Sequence, residues 1–255
     1  MINTQIIKIT TAIVITLAVV FSCKATSKKS HKIMSYNVHI CRGNDEVYDY
    51  DRVANIIKNV DADIIALQEL DSATVRSSQK VTGQELANRL NMHFTFGASI
   101  NYSGGKYGIG ILSKETPINV SQHSMPGKAE ARTMLIAEFK EYYFAATHLS
   151  LTEQERVESM NKILNLTSPL KSKPIILAGD FNATPDAESI KLISSNFTFL
   201  SDTTQQTFPA EFPDRTIDYI MGSNSHKYTI IKQEVIPEKT ASDHRPIFIE
   251  LKIKQ

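Results

Sequence analysis

The stretch Ile175-Ile176-Leu177-Ala178-Gly179-Asp180-Phe181-Asn182 is an apolar run that a carboxylate stops, with an amide two positions further on. A short, β-branched run of this kind between turn residues reads as a buried strand. The same pattern recurs along the chain. Ile33-Met34 runs into Ser35-Tyr36-Asn37, the run at 64–67 into Gln68-Glu69, and the run at 144–146 into Thr147-His148. Ile217-Asp218-Tyr219 embeds a carboxylate in an apolar strand, and Ser242-Asp243-His244-Arg245-Pro246 leads into the last one. Polar groups of one chemical kind therefore gather at strand ends.

An ionised carboxylate among apolar neighbours is costly unless it is paired or binds a cation. Glu69, Asp180 and Asp243, with the amides Asn37 and Asn182, form an oxygen-rich set. Such a set suits a hard ion: Mg²⁺, with Mn²⁺ or Ca²⁺ as alternatives. Zinc is disfavoured, because the sequence has neither a cysteine pair nor His-x-x-x-His spacing. In enzymes, Mg²⁺ on oxygen ligands points to phosphate chemistry, in which the ion neutralises phosphoryl oxygens and fixes the attacking water. His244 follows Asp243 directly and can be oriented by Asp218 from another strand. A His–Asp pair supplies general acid–base help of about 10²- to 10⁴-fold. His148 can hold a phosphoryl oxygen opposite it.

Outward from these strand ends, β-type runs alternate with helical patterns. Val53, Ala54, Ile56 and Ile57 recur at helical spacing over 50–60, with Asp51 available as a cap. Thr82-Gly-Gln-Glu85 and Thr152-Glu-Gln-Glu155 are capping-box patterns that open helices over about 83–90 and 153–165. Strands are expected at 33–38, 64–67, 94–96, 109–112, 118–122, 133–139, 143–147, 174–178, 216–221, 229–235 and 247–252, with a short helix at 187–193. The middle is antiparallel-rich, so two sheets packed face to face with helices outside fit better than a doubly wound parallel sheet.

Length and composition agree with one α/β domain: 255 residues, 42% hydrophobic and 22% charged. The apolar run at 9–21, preceded by Lys8, is a signal-peptide core too short to span a bilayer comfortably. Val20-Phe21-Ser22-Cys23 is similar to a bacterial lipobox, which would make Cys23 the lipidated first residue of an exported, membrane-anchored lipoprotein on the periplasmic side of the cell envelope. An ordinary cleaved signal and an uncleaved anchor are the competing readings. The expected organisation is a signal peptide over 1–22, a tether over 23–31 and a single domain over 32–255.

The net charge of +1 announces no polyanion binder. Removing Lys8, the one charged residue before Cys23, from the 28 basic residues leaves 27 against 27 acidic ones. With Cys23 lipidated, Cys41 has no partner for an intrachain disulfide, so the core must hold the fold.

The segments S-Y-N (35–37), L-Q-E (67–69), Y-G-I-G-I-L-S (107–113), T-H-L (147–149), G-D-F-N (179–182), I-D-Y-I (217–220) and S-D-H-R-P (242–246) resemble, in order and spacing, the endonuclease/exonuclease/phosphatase superfamily. The resemblance covers the whole domain. It implies a four-layer α/β sandwich of two packed mixed, antiparallel-rich sheets with outer helices, as in DNase I, and Mg²⁺-dependent hydrolysis of a phosphoester. It also implies roles: Glu69 as principal metal ligand with Asn37 and Asp243 nearby, and Asp180 as the group that orients and deprotonates water. Asn182 helps place water and phosphate, His244 held by Asp218 stabilises the transition state, and His148 binds phosphate or assists the leaving group.

Taken singly, Asn37 and Asn182 could serve turns alone, and Asp218 could be a structural ion-pair partner. Gly104, Gly105, Gly108 and Gly110 lack the ending of a P-loop and read as a glycine-rich hairpin near the site. Arg76, Tyr107 and Arg132 are candidates for lining the substrate cleft, with solvated arginines and a packed tyrosine as the alternatives. The first reading of the substrate is a phosphodiester, such as a phospholipid or sphingolipid headgroup, since L-Q-E-L-D-x-x-T-x-R-S and G-G-K-Y-G are similar to a sphingomyelinase-like bacterial branch. The alternatives are a secreted nuclease, which would need a basic groove, and a non-catalytic substrate-binding lipoprotein. No protein partner is implied.

Overall fold

The structure, a computed structural model, describes residues 29–170 and 172–254. The signal segment, Cys23 and most of the tether lie outside the described residues. Among them, no helix is long and apolar enough to cross a membrane.

The chain runs β1 (His31–Asn37), a 3-10 turn (His39–Cys41), α1 (Tyr50–Val60), β2 (Ile64–Ser72), α2 (Thr82–Leu90), β3 (His93–Tyr102), β4 (Gly105–Ser113), β5 (Asn119–Met125), β6 (Arg132–Glu138) and β7 (Tyr143–His148). It continues with α3 (Glu153–Thr167), β8 (Ile175–Asp180), α4 (Glu188–Ile193), β9 (Phe197–Phe199), β10 (Asp218–Ser223), β11 (Lys227–Val235) and β12 (Ile247–Lys254). Two six-stranded sheets result, in the orders β11-β12-β1-β2-β4-β3 and β5-β6-β7-β8-β10-β9. Among the described residues, only β1–β2 and β7–β8 pair in parallel.

Strand alternation builds the layers. Successive side chains point to opposite faces, and both faces of the central strands are apolar. Ile33, Ile64, Ala66, Ala146, Ile176, Ala178 and Ile220 meet between the sheets. Met34, Tyr36, Ile65 and Leu67 turn outward onto Val53, Ile57 and Leu86 of α1 and α2. Ala145, Ile175, Leu177 and Tyr219 turn outward onto Met160, Ile163, Ile190 and Ile193 of α3 and α4. The order helix, sheet, sheet, helix is the expected four-layer sandwich.

The differences from expectation are local. Asp49, not Asp51, caps α1, accepting from the Arg52 amide at 2.8 Å. Neither capping box forms its bond: Val81 and Thr152 sit at the caps without side-chain hydrogen bonds. Glu155 instead accepts from Ser150 and from the Lys128 amide. The strand β9 has no counterpart in the sequence expectation, and Cys41 is a buried free thiol.

Candidate active site

The inner-face rows Ile33-Ser35-Asn37, Ala146-His148, Ile176-Ala178-Asp180 and Ile220-Asp218 all run to the same end of the sandwich. Register sets the neighbours. Asp180 lies opposite His148 on β7 and opposite Asp218 on β10, so the three side chains stand side by side on one face. Asn37 arrives from the other sheet and bridges, its Nδ2 donating to Glu69 at 3.0 Å and to Asp180 at 3.1 Å.

Glu69 reaches the site through a bulge. The β2–β4 ladder passes from Leu67↔Gly110 to Leu70↔Gly108, so Gln68 and Glu69 oppose a single residue and Glu69 takes φ 59°. Bulges re-aim side chains in this way. Asn182, also at positive φ (48°), donates its backbone N–H to Asp180 at 2.8 Å and its amide to the Leu149 carbonyl at 3.0 Å. Ser242 donates to the Asn37 carbonyl at 2.7 Å and accepts from the His244 amide, tying the 242–246 segment to β1.

His244 is 4% exposed. Its Nδ1 lies 3.0 Å from Asp218 and its Nε2 3.6 Å from Asp180. Burial alone would lower its pKa, but the Asp218 and Asp180 carboxylates hold it up to about 10, so the ring is an imidazolium at neutral pH. Burial pushes the Asp180 carboxyl above its ordinary value, with His244 opposing. His148, 3.5 Å from Asp180, is kept neutral: burial, then the Arg132 and His244 cations, hold it well below 6.5. Two histidines beside one carboxylate thus sit in opposite protonation states, one able to donate and one able to accept.

The charges test whether a cation fits. Glu69, Asp180, Asp218 and Asp243 face one imidazolium, and Glu69 has no cationic partner among the described residues. Asp243 accepts from the Ser242 hydroxyl at 3.3 Å, and its one ion-pair neighbour among the described residues is His39, at 4.0 Å. Asp180, Asp218 and His244 bring ligand-type atoms within 4.8 Å of one another. A protonated His244 bound to Asp218 cannot also ligate a metal, so that trio is a charge relay: a hydrogen bond from His244 to Asp218 and an ion pair from His244 to Asp180. Glu69, Asn37 and Asp243 are the oxygen donors that fit a hard divalent ion.

A cleft of about 200 Å³ opens beside Glu69, walled by His39, Arg76, Tyr102, Tyr107 and Glu130. Arg76 and Tyr107 therefore line it. Burial, then the adjacent Glu69, raise the Tyr107 phenol above its ordinary value. Arg132 is 7% exposed and is held by Glu130 at 2.5 Å, with Nη1 3.4 Å from His148 Nδ1; it backs His148 from within and is not a solvated arginine. Sequence reasoning missed His39, whose buried Nδ1 faces Asp243 without a hydrogen-bond partner, and Phe208, whose ring packs 4.7 Å from that of His244. His39 stands two residues beyond Asn37 and was open to inspection; Phe208 carries no sequence signal.

Residues 34–244 match the Endonuclease/Exonuclease/phosphatase family. The chain belongs to that family, whose members are hydrolases acting on phosphoesters. No curated protein matches the sequence. Among solved structures, an endonuclease/exonuclease/phosphatase from Bacteroides vulgatus is similar with TM-score 0.75 and 19% identity, over 89% of this chain and 100% of that one. A mannosyl-6-phosphatase from Bacteroides thetaiotaomicron matches with TM-score 0.70 and 18% identity, over 87% and 99%. The catalytic domain of human Nocturnin matches with TM-score 0.66 and 20% identity, over 88% and 95%. At these identities the likeness is one of fold.

Proposed function

We propose that the protein is an exported, lipid-anchored, Mg²⁺-dependent phosphodiesterase whose substrate is a lipid headgroup. The observation that carries the catalytic part is the relay Asp218–His244–Asp180, joined through Asn37 to Glu69. Glu69, Asn37 and Asp243 would hold the divalent ion, which supplies Lewis-acid neutralisation of phosphoryl charge when bound. Asp180 takes the proton of the attacking water, Asn182 fixes the Asp180 carboxylate, and the His244 cation stabilises charge on the phosphoryl oxygens. His148, neutral and backed by Arg132, contacts the phosphate opposite. Carboxylates outnumber cations here, which favours a singly charged diester over a doubly charged monoester.

Exposed Val75, Leu151 and Phe212, on loops, and Tyr102, at the end of β3, lie at the catalytic end, which supports a substrate with an apolar part. The nuclease reading is favoured less: Arg76, Arg132 and Arg42 near the site are paired with Asp71, Glu130 and Glu46, while Arg245 donates to the Ala210 carbonyl. A substrate panel tests the proposal: bis(p-nitrophenyl) phosphate, DNA, and vesicles of sphingomyelin or glycerophospholipid, with Mg²⁺ and with EDTA. Vesicle hydrolysis without DNA cleavage, abolished by EDTA, is expected; DNA cleavage alone, or turnover indifferent to EDTA, would contradict it.

A further inference from the structure

The loop between β2 and α2 is built as a rigid platform. Asp71, fully buried, accepts from Thr74 Oγ1 at 2.7 Å and from Arg76 Nε and Nη2 at 2.7 and 2.8 Å. The loop then closes on itself: the Ala73 amide donates to the Lys80 carbonyl, Gln79 to Thr74, and the buried Ser77 hydroxyl bonds Thr74 and Lys80. Arg76 is further clamped over Tyr102, at 4.3 Å from the ring centroid, and beside Tyr107. Its Nη1 is left over from the bidentate pair with Asp71. A bidentate, stacked guanidinium is pre-oriented, so little side-chain freedom is lost when it accepts a ligand.

Arg76 is also a shared wall. On one side lies the catalytic cleft, with the carboxylates Glu69 and Glu130. On the other lies a second cleft of about 210 Å³, lined by Tyr48, Tyr50, Arg76, Ser77, Ser78 and Lys80. This lining holds Lys80, the Asp71-paired Arg76, two serines and two tyrosines, and no carboxylate. Lys80 has no acidic partner among the described residues and rests over the Tyr50 ring at 5.2 Å. The first cleft thus has the charge for a cation and a phosphoester, and the second has the charge for an anion.

We infer that the Tyr48–Lys80 cleft is a second subsite that binds an additional phosphate group on the substrate, with Arg76 bridging it to the catalytic cleft. This rests on the phosphoesterase reading and narrows it to headgroups that carry a second phosphate. Arg76 lines both clefts, so the two anionic groups would lie on either side of one guanidinium.

Calorimetric binding to the full chain in neutral detergent with Mg²⁺, using propyl phosphate and alkane α,ω-bisphosphates of three to six carbons, tests this without requiring turnover. At least one bisphosphate should bind about tenfold more tightly than propyl phosphate, and added NaCl should shrink the advantage. Lys80→Ala should remove it, because the loop's own bonds use the Lys80 backbone and survive the substitution. Lys191→Ala, on α4, should not. Equal affinities across the series, or an advantage retained in Lys80→Ala, would overturn the inference. Failure of the phosphoesterase reading shows separately, as absent hydrolysis of bis(p-nitrophenyl) phosphate.

Discussion

Burial works against the charge on His244, and two carboxylates work for it; the carboxylates prevail, whereas at His148 nothing opposes burial. The two rings therefore bear oppositely on stability in the metal-free protein. A folded pKa raised above 6.5, as at His244, contributes stability that is fully present below about 6.5 and lost as pH rises towards about 10. A depressed one contributes above 6.5 and loses it as pH falls. His148 and His31 are of that second kind, both lowered chiefly by burial. Urea melts in EDTA should show stability falling on both sides of neutrality. Asp218→Asn should flatten the alkaline side and bring the His244 titration, followed by NMR, down towards neutral pH. An unmoved His244 resonance would contradict the assignment of Asp218 as its holder.

The strands carry the site because polar residues at their ends share a face. That much was legible: period-two alternation places Asn37, His148, Asp180 and Asp218 on the inner faces, and the apolar runs before them end where they begin. The helix at 50–60 was legible from its apolar spacing, while its cap was not, because Asp49 and Asp51 are equally capable in sequence. The capping boxes marked helix starts to within one residue, yet their acids found other partners: Glu155 bonds Ser150, and Glu85 pairs with Arg89. The loop at 73–80 was unreadable, since its order comes from a buried Asp71 and backbone bonds that no local pattern announces. A glycine offers the test at this scale. A Cβ on Gly179 would lie 2.1 Å from the Thr147 carbonyl of the paired strand β7, and backbone cannot step aside cheaply. Gly179→Ala should cost about 3 kcal/mol, read as a lower urea midpoint. An unchanged midpoint would mean β7 and β8 are less closely fixed than their register implies.

At the scale of the molecule, sheet order lay beyond sequence reasoning: that β1 pairs with both β2 and β12 depends on the closure of the whole chain. This order has a consequence for the proposed anchor at Cys23. β1 enters at His31 and delivers Asn37 to the site, so the catalytic end lies at least about 20 Å from the tether end at roughly 3.3 Å per residue. The stretch from Cys23 to Ser30 spans at most about 28 Å fully extended. A lipid-anchored domain can therefore bring its cleft back to its own bilayer only with the tether nearly straight. Deleting residues 25–28 should abolish hydrolysis of headgroups in the anchoring vesicle and leave turnover of bis(p-nitrophenyl) phosphate unchanged. Retained vesicle hydrolysis would argue against the anchor at Cys23 or against a substrate in the same membrane.

On the reading proposed above, strand-end residues from two sheets form one metal-assisted centre in which Asp180 handles the proton of the attacking water. The most direct measurement is the rate of bis(p-nitrophenyl) phosphate hydrolysis by the wild-type chain and by Asp180→Ala, each verified as folded by its thermal melt. Each would be assayed in EDTA and again after Mg²⁺ is restored. Wild-type turnover should vanish in EDTA and return with Mg²⁺, and Asp180→Ala should lose about 10²- to 10⁴-fold in rate, a loss that Mg²⁺ does not repair. Equal rates for the two chains, or wild-type turnover unaffected by EDTA, would contradict it.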